Sequence, residues 1–332
     1  MRRSVAAVDL AARVRAGERR ALAQAITLVE SSLIEDRAEA SELLSSLLPL
    51  AGGSHRVALT GAPGAGKSTL VDALGAAALT AGQRVAVLAI DPASAISGGS
   101  LLGDAVRMQK LQASEQVFLR ASSNLGQLGG TAPATREAVL LCEAAGYDLV
   151  LIETVGVGQA EQAARELCDT LVMLALAGAG DEIQGMKRGL LEVADAVVVN
   201  KADGEGQSAA GAYAGELQVA LGLLRSSAPA HVVALSAKTG QGVLELQAWL
   251  AQRIVGLRSS GELHRIREEQ LRRAFRAAVS RELEVRARSS SRYAERLATL
   301  ELAVVSGRMT PRGAARELAE SVLSLSAACG RS

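Results

Sequence analysis

"RVALTGAPGAGKSTLVDALGAAAL", residues 56–79, joins a short apolar run to a glycine-rich turn and then to a helical pattern. The turn fits G-x-x-x-x-G-K-[ST] at Gly61, Gly66, Lys67 and Ser68, with the strand before and the helix after that the motif requires. Glycines let successive backbone N–H groups turn inward around phosphate oxygens, and a helix N-terminus adds its dipole. Lys67 is placed to reach the β- and γ-phosphates, and the Ser68 hydroxyl to ligate magnesium. Gly61, Ala62, Pro63, Gly64, Ala65, Gly66, Lys67, Ser68 and Thr69 are therefore the candidate phosphate cradle.

Outward from this turn, short apolar runs alternate with amphipathic segments. "RVALT", "RVAVLAID", "VFLR", "DLVLIE", "TLVMLAL", "AVVVN" and "HVVALS" are the strand candidates, and their alternation with helices implies βαβ units. The expectation is an α/β P-loop NTPase with a mostly parallel central sheet, extended by helices at both ends. Residues 1–50 read as a helical extension, 51–255 as the nucleotide domain and 256–332 as a helical arm. In "GERRALAQAITLVESS", Leu22, Ile26 and Val29 recur at helical spacing. "ELHRIREEQLRRAFRAAVSRELEVRARS" predicts a long charged helix, and "MTPRGAARELAESVLSLS" a second, with Thr310 as cap and Pro311 at its first position.

Two further strand ends specify the base. "VVVNKAD" places Asn200, Lys201 and Asp203 directly after a strand. An Asp there accepts from guanine N1–H and the 2-amino group. Adenine offers neither, which would leave a buried carboxylate unpaired at a cost of about 1–3 kcal/mol. Lys201 lies along the base in this reading, and Asn200 ties loops together. "LSAKTGQG" supplies Ser236, Ala237 and Lys238, with the Ala237 N–H directed at guanine O6. The order of these motifs reads as a GTP site.

Acids end two other strands. "DLVLIETVGVGQAE" runs into Glu153 and then to Gly156, an E-T-x-G pattern in which the acid orients magnesium and the glycine N–H meets the γ-phosphate. The loop 154–162 is the candidate second switch. "VAVLAIDP" ends in Asp91, and the glycine-bearing segment behind it reaches Asp104. Asp91 and Asp104 are candidate magnesium or water ligands on a first switch. The metal set is thus Ser68, Asp91, Asp104 and Glu153. Neither an arginine finger nor a water-positioning glutamine is obvious next to Gly156, so slow hydrolysis is expected.

Net charge is +1, which gives no overall field for nucleic acid or membrane partners. Asp9 interrupts the basic start before an apolar run forms, so no secretory leader is expected, and no run approaches the ~20 residues that span a bilayer. Three scattered cysteines argue for a reducing cytoplasm. The basic residues are 31 Arg and 5 Lys. Four of those lysines, Lys67, Lys187, Lys201 and Lys238, fall in motifs, where Arg would not substitute for a slim ammonium.

"GAPGAGKSTL", "LAIDPAS…SGGSLLGD…RM", "ETVGVGQ", "GAGDEIQGMKRG" and "NKADG", with the N-terminal "RRALAQAITLVES", together resemble the methylmalonyl-CoA mutase-associated GTPases, the MeaB/ArgK group of SIMIBI-class P-loop proteins. The resemblance runs from about residue 15 to 250 and weakens in the C-terminal helices. Ala95 and Ile96 stand where the family usually has hydroxyl residues. The resemblance implies a homodimeric GTPase that binds GTP or GDP with Mg2+. It would gate adenosylcobalamin delivery to a cobalamin-dependent acyl-CoA mutase, and support its protection or reactivation, without binding cobalamin itself. It also implies that Gly178 to Arg188 forms a third switch read by the mutase. Lys187, one of only five lysines in an Arg-rich chain, is on that segment the candidate to join Lys67, Asp91 and Glu153 in catalysis. The alternatives are a GTPase metallochaperone for another metal centre and a transport-associated kinase or ATPase. Isolated His55, His231 and His264 argue against the first, and the guanine motifs against the second.

Overall fold

The structure is a computed structural model that describes residues 2–31, 33–90, 108–112, 114–122, 131–154, 160–177, 193–224, 230–288 and 291–329. Its chain divides into two compact units, residues 1–267 and 268–332.

The first unit is built on seven strands: β1 (His55–Gly61), β2 (Val85–Ile90), β3 (Val117–Ser122), β4 (Leu149–Thr154), β5 (Thr170–Leu176), β6 (Ala196–Asn200) and β7 (His231–Ala234). They pair in the order β3-β2-β4-β1-β5-β6-β7, with every pairing parallel. A parallel sheet needs a crossover between neighbours and is covered on both faces, which is why its strands read as unbroken apolar runs. Successive residues serve opposite faces. Ala58, Val150, Ile152, Met173, Val197 and Val199 enter one core, while Val57, Leu59, Leu151, Val172, Leu174 and Val198 enter the other.

Helices α1 (Arg2–Arg15), α2 (Arg19–Glu30) and α3 (Ile34–Leu47) pack on one another and on α6 (Thr131–Ala144). Leu22 and Ile26 of α2 are fully buried in the same core as the sheet residues of that face. Helix α4 (Lys67–Thr80), the short α5 (Gln109–Gln112) and α9 (Val243–Ser259) serve the opposite core, while α7 (Ala160–Arg165) stands between β4 and β5 and α8 (Gly206–Leu224) between β6 and β7.

Where the strands begin, a polar knot fastens the sheet. Glu143 of α6 accepts from the Gly52 N–H at 2.9 Å, the Ser54 hydroxyl at 2.7 Å, and Arg56 at 2.9 and 2.6 Å. Asp169 accepts from the Arg56 N–H at 2.8 Å and from Arg267 at 2.8 and 2.7 Å. His55 Nε2 lies 2.9 Å from the Thr170 hydroxyl beside it, and burial lowers its pKa to about 4. Cys142 and Cys168 are fully buried; burial pushes both thiols up, Cys168 to about 12, which leaves them as packing groups.

Helix α10 (Glu262–Arg288) continues from the first unit into the second, where α11 (Ser291–Val305) and α12 (Pro311–Cys329) follow. The Thr310 hydroxyl accepts the Gly313 N–H at 3.1 Å, the expected cap. α11 and α12 pack on one another, with Leu300 and Ala314 buried and an Arg296–Glu317 ion pair. Among the described residues, no helix is long and apolar enough to cross a membrane.

Candidate nucleotide site

The carboxyl ends of β1, β4, β5 and β6 lie side by side, the edge at which open α/β sheets bind ligands. β1 runs into the loop 61–66, and α4 leaves it at Lys67 with Gly66 as its cap residue, at φ 92°. Two glycines are required there. A Cβ on Gly61, at φ 147°, would sit 2.5 Å from the Leu174 carbonyl oxygen, and a Cβ on Gly66 would collide with the Asn200 amide. The loop is therefore pinned between β5 and β6 before any ligand is considered.

Lys67 is 8% exposed and donates to the Gly61 carbonyl at 2.8 Å and the Ala62 carbonyl at 3.0 Å. Its ammonium is thus held over the loop. Ser68 donates to Glu153 Oε1 at 2.6 Å, and Glu153 is buried. Glu153 pairs in register with Leu59 of β1 and Ala89 of β2, so β4 delivers it beside the first turn of α4. Ser68 and Glu153 form a hydroxyl–carboxylate pair of hard oxygen donors, the donor type magnesium takes. Just beyond, the Thr154 hydroxyl donates to the Leu59 carbonyl at 3.2 Å and fixes where the following loop departs.

The base-side motifs are joined to this cradle by Asn200. Its Nδ2 donates to the Ala65 carbonyl at 2.8 Å, and its Oδ1 accepts the Ala237 N–H at 3.0 Å. The loop-tying role read for Asn200 is thus visible, and the partner in each loop was not legible. The Ala237 N–H, the candidate donor to guanine O6, donates to Asn200 in this structure. A buried N–H takes the acceptor at hand, and this one makes Ala237 part of the brace. Lys201 follows at φ 64°, the left-handed conformation, and its side chain is exposed. Asp203 is half-buried and opens the turn into α8 through its carbonyl, which accepts the Gly206 N–H at 3.1 Å. Ser236 is fully buried; its hydroxyl accepts the Thr239 N–H at 3.2 Å, shaping the turn that carries Ala237 and the exposed Lys238.

The structure therefore brings together the phosphate loop, Ser68 with Glu153, and the Asn200 and Ala237 loops. Asp91, Asp104, Gly156 and Lys187, with the segment Gly178 to Arg188, lie outside the described residues. Ile90, the residue before Asp91, pairs with Thr154, the residue after Glu153.

Residues 22–292 match the family described as methylmalonyl-CoA mutase-associated GTPase MeaB. This chain belongs to that family. A probable GTPase of Mycobacterium tuberculosis is 44% identical over 315 residues, covering 94% of both chains. The GTPase ArgK of Escherichia coli is 39% identical over 315 residues, covering 93% of this chain and 94% of that protein. The mitochondrial methylmalonic aciduria type A homolog of Mus musculus is 38% identical over 312 residues, covering 90% of this chain and 75% of its own length. A crystal structure described as an LAO/AO transport system kinase superposes with a TM-score of 0.75 at 33% identity, covering 96% of this chain and 98% of that one. The MeaB-family chain is accordingly a P-loop GTPase that hydrolyses GTP, in a family described as mutase-associated.

Proposed function

We propose that this GTPase gates the transfer of adenosylcobalamin to a cobalamin-dependent acyl-CoA mutase in the cytoplasm, acts as a homodimer, and supports protection or reactivation of that enzyme. The observation that carries the reading is the position of β5. It lies between β1, which ends in the phosphate loop, and β6, which ends in Asn200. Gly61 pairs with Leu174 and Asn200 with Leu176, so β5 ends between the phosphate loop and the base loop, two residues before the candidate third switch begins in the sequence. A partner that holds this segment is coupled to the bound nucleotide through two direct neighbours.

In this reading Lys67 supplies charge to the β- and γ-phosphates, and Asp203 selects guanine. Ser68 and Glu153, with Asp91 and Asp104, would hold magnesium. The metal would supply charge neutralisation to the phosphates. The chain itself contributes the fixed cradle, which spares reorganisation as charge develops. The Gly156 N–H meets the γ-phosphate and reports its loss, as ordered switches do. Lys187 enters from the 178–189 segment when the mutase docks. Cobalamin is handed on without being bound by this chain.

The test is cofactor loading of an apo-mutase by a donor in the presence of this protein and either GTP or a non-hydrolysable analogue. The expected result is loading with GTP and arrested loading with the analogue. Loading that ignores the nucleotide would overturn the gate.

A further inference from the structure

The turn that carries Asp203 is fastened on either side of Lys201. Before it, the Asn200 amide donates to the Ala65 carbonyl and accepts the Ala237 N–H. After it, the N–H of buried Ala202 donates to the Leu235 carbonyl at 3.1 Å. Between these fixed points Lys201 is left-handed at φ 64°, and among the described residues no other non-glycine has a positive φ. That conformation crowds the Cβ of an L-residue against its own carbonyl oxygen, and it persists only where the surroundings over-determine it.

The Lys201 carbonyl runs against the backbone of Gly206, the first residue of α8. A Cβ on Gly206 would lie 2.8 Å from the Lys201 carbonyl oxygen, inside van der Waals contact. The φ of Gly206 is outside the left-handed region, so the position asks for a missing side chain rather than for glycine's backbone freedom. Gly206 also closes the turn, its N–H donating to the Asp203 carbonyl at 3.1 Å. With Asn200 and the Ala202 N–H anchored, a side chain at 206 has two ways to fit. It turns the Lys201–Ala202 peptide and breaks the bond to Leu235, or it lifts residues 203–205 away from α8. Both move Asp203.

We infer that Gly206 is a positioning residue for guanine selection: its missing side chain lets α8 begin against the Lys201 carbonyl and so sets the orientation of Asp203. It touches no base and acts through that carbonyl. The inference rests on the reading of Asp203 as the residue that selects guanine.

The experiment measures the affinities of the full chain for GDP and for inosine diphosphate, with the urea midpoint alongside. Inosine diphosphate keeps the N1–H and lacks the 2-amino group, so a displaced Asp203 loses two bonds to guanine and one to hypoxanthine. Gly206→Ala should lower the ratio of the two affinities about fivefold or more, with the urea midpoint unchanged or raised, because Ala is the better helix former. Gly206→Ser carries the same Cβ and should repeat the loss. Gly211→Ala, on the same helix where a Cβ meets nothing within 4 Å, should keep the ratio within about twofold of the unaltered protein. The inference is overturned if both Gly206 variants keep the ratio within about twofold, or if Gly211→Ala lowers it as much. It is also overturned if both affinities fall in step as the urea midpoint drops, or if neither Gly206 variant folds, since the glycine then serves stability alone. Asp203→Asn separates the two levels and should turn preference from GDP to xanthosine diphosphate. If it does not, the guanine reading itself fails; if it does and Gly206→Ala keeps the ratio, only the role of Gly206 fails.

Discussion

Asp203 and Asn200 sit three residues apart and do opposite kinds of work. Asn200 is spent inside the protein, with both ends of its amide committed to Ala65 and Ala237. Asp203 is half-buried, and the proposal gives its carboxylate to a guanine base. Asp203→Asn should therefore weaken GTP by about 1–3 kcal/mol and turn preference toward xanthosine triphosphate, read by competition of the two nucleotides for one fluorescent analogue. Equal binding of ATP and GTP by the unaltered protein would remove the base assignment. His55 makes a second residue-scale prediction, on stability. Its pKa is about 4 when folded, lowered chiefly by burial, against an ordinary 6.5. Below 6.5 the unfolded chain takes up a proton that the folded chain refuses until about 4. The contribution is complete above 6.5 and is lost as pH falls through that window. Between pH 7 and 5 this amounts to about 2 kcal/mol. Urea midpoints at the two pH values should show His55→Asn with a shallower acid loss by that amount, and identical slopes would refute it.

At the scale of elements, the central strands were legible because a parallel strand buried on both faces leaves an unbroken apolar run in the sequence, and the shorter runs of the edge strands β3 and β7 followed the same alternation with helices. The phosphate loop was legible because its glycines answer a local demand. The knot of Glu143, Asp169, Arg56 and Arg267 was not. Its hydrogen-bonded pairs stand 87 to 113 positions apart, and each member alone reads as an ordinary surface charge. The same holds for Asp72, whose partner Leu111 is 39 residues away. Through-space pairs leave no spacing to read. α10 gives the element-scale prediction. Leu271, Phe275, Val279 and Leu283 recur every fourth residue and are exposed, Phe275 by 70%, while Arg272–Glu268, Arg273–Glu269, Arg286–Glu282 and Arg288–Glu284 pair on the same helix. Covering a Leu or Phe is worth about 1.5–3 kcal/mol, so a second copy is the proposed cover. Light scattering at micromolar concentration should find a dimer, and Leu271→Glu with Phe275→Glu a monomer. A monomeric unaltered protein would end the idea.

At the scale of the whole molecule, the sheet brings the phosphate loop, the acid of β4 and the base loops to one edge, and the chain to either side of β5 links them. Magnesium, the dimer and cobalamin gating belong to the proposal built on that edge; GTP hydrolysis and association with a mutase belong to the family. What unites them is the claim that the partner completes the catalytic site. The direct measurement is the rate of GTP hydrolysis by the unaltered protein, alone and with saturating methylmalonyl-CoA mutase. Alone it should fall well below the ~1–100 s⁻¹ of dedicated phosphoryl-transfer enzymes. With the mutase it should rise about tenfold or more, and Lys187→Ala should keep the basal rate and lose the rise. A rate that is the same with and without the mutase would contradict the account.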